Sequence, residues 1–180
     1  MKTILKSVLT LGLVVGLGFA ANAQKTATAP ASATVLADLT ITLDATQNEI
    51  DFGNLSANTP GVIVHDANGP AGNANTGSNT QVARFDLAGA NSAVTVSYDP
   101  TVTLSNTDPT PATMTMTPEV VGAALATDQA TATAVARGSQ VTLAGTTPVY
   151  FLWVGGTIPA LASQATGTYS GTFNIEVEYN

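Results

Sequence analysis

Three places in this sequence hold residue types that could do chemistry. His65-Asp66 sets the chain's single histidine beside a carboxylate, the pairing that turns an imidazole into a general base when a serine approaches it in space. Asp66-Ala67-Asn68-Gly69 opens like a calcium loop. Glu176 and Glu178 are two apart and would share one face of a strand as a carboxylate pair. Each runs short of partners. There is no Gly-x-Ser-x-Gly elbow, no His-Glu-x-x-His helix and no cysteine nucleophile. Calcium takes about six to eight oxygens and favours several carboxylates, yet residues 70–79 contain no Asp or Glu. The expectations are therefore a surface histidine starting a loop and a solvated glutamate face that discourages wrong pairing. No catalytic residue, metal or cofactor is expected. No Gly-rich phosphate loop or basic patch for nucleic acid is present either.

The two glutamates belong to the best-patterned element of the chain, Gly167 to Asn180. Tyr169, Phe173, Ile175, Val177 and Tyr179 are large and apolar, interrupted by Gly171, while Thr168, Ser170, Thr172, Asn174, Glu176 and Glu178 are polar. Alternation of this kind marks one strand with a wet face and a buried face. Thirteen residues at the strand rise would span roughly 43 Å, so a bend or bulge is expected near Gly171.

This stretch resembles the C-terminal motif of chaperone–usher pilins, through Gly167, Phe173, Ile175, Val177 and the penultimate Tyr179. The wider chain resembles a family of secreted bacterial proteins known as a domain of unknown function, grouped with fimbrial and spore-coat-U-like sandwiches. Asp51-Phe52-Gly53, Val154-Gly155-Gly156-Thr157 and the final strand carry that likeness in order. The resemblance implies an immunoglobulin-like, pilin-like antiparallel Greek-key β-sandwich. It also implies partners: further copies of the chain or related surface subunits, and a periplasmic chaperone. The disulfide of type 1 pilins has no counterpart, because the chain lacks cysteine.

The beginning of the chain reads as a leader. Lys2 and Lys6 precede the apolar stretch Ser7 to Phe19, and Ala21-Asn22-Ala23 is a small-residue cleavage site. The apolar stretch is shorter than the roughly 20 residues a spanning helix needs. Residues 1–23 are expected to be removed, leaving a secreted or cell-surface protein with no membrane segment. Removal would leave Lys25, Arg84 and Arg137 as the basic residues against twelve acids, a surface that repels nucleic acid and anionic membranes. Without cysteine, stability has to come from the core and the hydrogen-bond ladder.

Residues 24–32 have no large apolar side chain and contain Pro30, so a mobile tail is expected. A single domain is expected over 33–180. From Ala33 the pattern alternates, with Ala33, Val35, Ala37, Leu39, Ile41 and Leu43 inward. Shorter strands follow at 50–54, 61–65, 81–87, 93–98, 101–104, 112–117, 139–143 and 148–154, with residues 66–80 as a long exposed loop. Thr117-Pro118-Glu119 fits the start of a short helix, while a loop or strand over 117–128 fits equally well. Tyr150 to Val154 is apolar at every position, so both faces need cover, from a loop, a helix or another molecule.

Short alternating segments, turn residues between them and abundant Thr and Val define an all-β sandwich. Two functions fit it. One is a non-catalytic structural subunit of an extracellular filament, fimbria or surface layer, joined by β-strand addition. The donor would be residues 25–37, with Ala29, Ala31, Ala33, Val35 and Ala37 facing in; against it stands a monomer whose own run completes its sheet. The other is a secreted carbohydrate- or surface-binding module using loop 66–80, a loop without aromatic platforms.

Overall fold

A computed structural model describes residues 27–107 and 110–180. The expected leader lies outside the described residues. The chain divides into a segment ending at Thr34 and a unit spanning Val35–Asn180. Of the first, residues 27–34 are exposed and belong to no strand.

The second is built of antiparallel strands: β1 Thr40–Leu43, β2 Ile63–His65, β3 Ala83–Ala88, β4 Ser92–Tyr98, β5 Val102–Asn106, β6 Ala112–Ala123, β7 Thr133–Ala134, β8 Ser139–Leu143, β9 Val149–Ile158 and β10 Ile175–Tyr179. The larger sheet runs β1-β3-β9-β6-β5, with β2 also on β9 and β7 also on β6; the smaller runs β10-β4-β8. Their facing sides meet in one apolar core of Leu87, Val94, Val96, Val120, Leu143, Leu152 and Val154. A second cluster, including Phe52, Ile63, Met116 and Ile158, fills one end.

β9 answers the question posed by its unbroken apolar run. Leu152 and Val154 point into the shared core. Phe151 and Trp153 point to the opposite face, where Ala67, Val82 and Val121 pack on them. Cover therefore comes from the chain itself. The loop after β2 supplies it, so the expectation of a wholly exposed loop over 66–80 is corrected: Ala67 is fully buried. Gly155 makes that cover possible. A Cβ there would overlap the His65 carbonyl oxygen and crowd the Ala67 nitrogen, so only glycine lets the loop backbone lie flat on the sheet.

Residues 117–123 continue β6, settling an ambiguity that local sequence left open. β9 pairs along Thr117–Ala123 on one side. On the other, β5 reaches Met116 and β7 pairs with Val121 and Gly122. Pro118 falls in the interval, where a residue without N–H costs least. The proline marks a change of partner, not a helix start.

The run from Ala33 is corrected as well. Only Thr40–Leu43 forms a strand. Ala33, Val35 and Ala37 are exposed, because alanine has little surface to withdraw from water and cannot by itself hold an extra strand down.

Candidate functional site

β1 ends the larger sheet and β10 ends the smaller, so two unpaired strand edges border the same side of the core. Tyr179 fastens them at one end. Its hydroxyl donates to the Ala37 carbonyl at 2.9 Å and accepts the Ala90 N–H at 2.6 Å.

Away from that end the edges part. After Leu43 the chain still follows β3: the Asp44 N–H donates to Arg84 O, the Arg84 N–H to Gln47 O, and Asp51 and Gln81 exchange two backbone bonds. Between these contacts the chain bulges around Asp44. Its Oδ1 accepts the Thr46 hydroxyl at 2.6 Å and the N–H groups of Thr46 and Gln47 at 2.9 Å. The Thr46 hydroxyl, then those N–H groups, hold the Asp44 carboxyl down at about 2. Arg84 bridges Asp44 and Asp86 and lies over the Phe151 ring, 5.7 Å from its centroid.

Between the segment that follows β1 and the one that precedes β10 lies a groove of about 890 Å³. Leu43, Ile50 and Phe52 form one wall, Tyr169 and Phe173 the other, and Phe85, Leu104 and Met114 the floor. Phe173 stands 6.2 Å from Phe85 and 6.0 Å from Tyr98, centroid to centroid. Glu49 and Asp51 lie on the rim and are exposed.

The last alternating stretch is not one strand. Ser170 bridges Ser105 beside β5, and regular pairing resumes at Ile175 on β4. The stretch thus crosses from the larger sheet to the smaller, turning at the expected place. A Cβ on Gly171 would overlap the Thr103 carbonyl oxygen and press on Leu104 and Val102. Gly167, at φ +137°, begins the stretch, and the Tyr169 hydroxyl donates to Ala165 O at 2.8 Å. Phe173, Ile175, Val177 and Tyr179 alternate with exposed neighbours in the expected phase. They are half-buried, not buried, because β10 has one strand neighbour and ends its sheet. Glu176 and Glu178 sit exposed, opposite Ser97 and Thr95.

His65 is not a surface residue. It is 2 % exposed, its Nε2 lies 2.7 Å from Gln81 O and its Nδ1 3.3 Å from Asn73 Oδ1. Phe52 meets it edge-on at 5.4 Å. The imidazole braces the loop after β2. Asp66 Oδ1 accepts the Asn68 N–H at 2.8 Å, and the Asn68 amide donates to Gln129 O and Ala132 O, each at 2.9 Å. These bonds tie the loop to the segment before β7. Sequence patterning missed this bracket and the fastening by Tyr179; a polar tip at an apolar parity, as in Tyr179, is the one signal that pointed to either.

Two antiparallel sheets around a common core, with a groove of mixed polar and apolar lining along one side, define an all-β, sandwich-like domain. A family model described as "Domain of unknown function (DUF4402)" matches residues 39–179, and the chain belongs to that family. No curated protein matches the chain.

Proposed function

We propose that this protein is a secreted structural subunit of an extracellular filament, fimbria or surface layer, and that copies join by strand addition at the groove. In this reading the domain is a pilin-like, immunoglobulin-type Greek-key sandwich, exported by a leader cleaved after Ala23. The observation that supports it is the groove itself: residues 48–57, which follow β1, and 164–173, which precede β10, flank Phe85, Leu104 and Met114, and β1 and β10 each end a sheet. Edge backbone supplies hydrogen-bonding groups and the floor supplies pockets for alternate side chains, the two requirements of β-augmentation.

The candidate donor is residues 25–37 of a neighbouring copy. Ala29, Ala31, Ala33, Val35 and Ala37 would face in, and each is exposed in its own chain. Val35, at 95 %, is the most exposed of the large apolar residues described. A buried valine contributes about 1.5–3 kcal/mol and alanines far less, so the main-chain ladder carries most of the affinity. Pro30 removes one bond from it.

Deletion of residues 24–34 tests the reading. Light scattering and negative-stain microscopy should show long assemblies from the protein starting at Gln24 and folded monomers from the deletion. A full-length arm that leaves the protein monomeric at high concentration, with no change on deletion, overturns it.

A further inference from the structure

We infer that Asn68-Gly69 is a self-modification site: the fold holds off its deamidation, and once the reaction has occurred the loop cover over β9 cannot close again. This inference is independent of strand addition.

Asn68 is followed by glycine, and no other asparagine in the chain is. Glycine has no side chain to shield its backbone nitrogen, so that nitrogen can attack the amide carbon of the asparagine before it. The bond from Gly69 N to Asn68 Cγ forms and the Cγ–Nδ2 bond breaks. Nδ2 leaves as ammonia, taking the proton that Gly69 N gives up. Water then opens the cyclic imide at either carbonyl, leaving aspartate or its backbone-shifted isomer. Water is the only co-reactant.

In the fold both reacting groups are occupied. The Gly69 N–H donates to Asp66 O at 3.1 Å. The amide that would leave donates to Gln129 O and Ala132 O, each at 2.9 Å. The Asn68 N–H is tied to Asp66 Oδ1 at 2.8 Å, so Asp66 fixes the backbone on both sides of the Asn68 side chain. The Gln129 side chain returns a bond to Ala67 O at 2.9 Å, so the two segments grip each other in both directions. Ring closure requires the Asn68 amide to leave two carbonyls and the Gly69 N–H to leave a third. Reaction therefore waits for the loop to lift, and its rate is that of the open loop multiplied by the fraction of time the loop is open.

The step runs one way. Either product has a carboxylate where Asn68 had two N–H donors, and a carboxylate can only repel the Gln129 and Ala132 carbonyls. The isomer also lengthens the main chain next to Ala67, which is fully buried against Trp153. Modification thus removes the bracket that held the reaction back.

The protein starting at Gln24 is incubated at mildly alkaline pH, folded and in guanidinium chloride, and each asparagine is followed by peptide mapping that detects the isomerised aspartate. In denaturant Asn68 should react ahead of every other asparagine. In the folded protein it should react roughly tenfold more slowly or less. Gly155→Ala, which presses on the His65 carbonyl and the Ala67 nitrogen, should return much of the lost rate while leaving both reacting residues intact. Folded protein that has reacted should show red-shifted Trp153 emission. Equal rates in the folded and denatured protein overturn the protection, and an unmoved rate in folded Gly155→Ala overturns the part played by the cover. Reacted protein that keeps its buried emission overturns the one-way opening. Where Gly155→Ala does not fold, the comparison of folded with denatured protein decides alone.

Discussion

Asp44 shows how one side chain shapes the groove. Its carboxylate gathers a hydroxyl and two N–H groups into the bulge from which the first wall departs. A carboxyl whose folded pKa is depressed contributes stability above its unfolded value and loses it as pH falls through the folded one. With 3.8 as the ordinary value and about 2 in the fold, the window lies between about pH 4 and pH 2. Amide signals of Thr46 and Gln47 should titrate with a midpoint near 2, while the core strands stay unchanged. In Asp44→Asn that titration should vanish from both amides, which NMR would read directly. His65 teaches the complementary lesson. A lone polar residue gives no periodicity, so its burial depends on Asn73, Gln81 and Phe52, which lie outside its own strand and are brought to it by the path of the neighbouring loops.

At the scale of elements, Gly171 separates two pairings of one continuous stretch. Gly171→Val would drive a side chain into the Thr103 carbonyl, which cannot move without disturbing β5, at a cost of about 2–3 kcal/mol. Hydrogen exchange should show lost protection at Ser105 and Ser170 with retained protection at Val96 and Val177. Equal loss at all four would mean that the stretch behaves as one strand. Much of this element was legible beforehand: the phase of Tyr169 to Tyr179 and the need for a bend both follow from side-chain alternation and length. The arm was misread for a reason of the same kind. Alternation in Ala33, Val35 and Ala37 says which face would be buried, not whether a neighbouring sheet is there to bury it. The groove was illegible locally because it arises where residues 48–57 and 164–173, far apart in the chain, come to flank one opening.

Over the whole molecule, two layers become three where loops cover the outer side of β9. Asn68→Asp tests that cover. It replaces an amide donor with a carboxylate facing the carbonyls of Gln129 and Ala132, a loss of roughly 1–3 kcal/mol. Trp153 is the only tryptophan in the chain and is fully buried beneath this cover. Its fluorescence should shift to the red in the variant as water reaches the ring; unchanged emission would show that the cover holds without Asn68. The strand order also sets a timetable. β9 lies late in the chain, yet it is the shared neighbour of β2, β3 and β6, all of which leave the ribosome earlier. Until residues 149–158 emerge, those strands have no central partner, and folding that depends on such distant pairings is slow. The pairs β1–β3 and β5–β6 can form before that, but the larger sheet cannot close into one piece until residues 149–158 have been made.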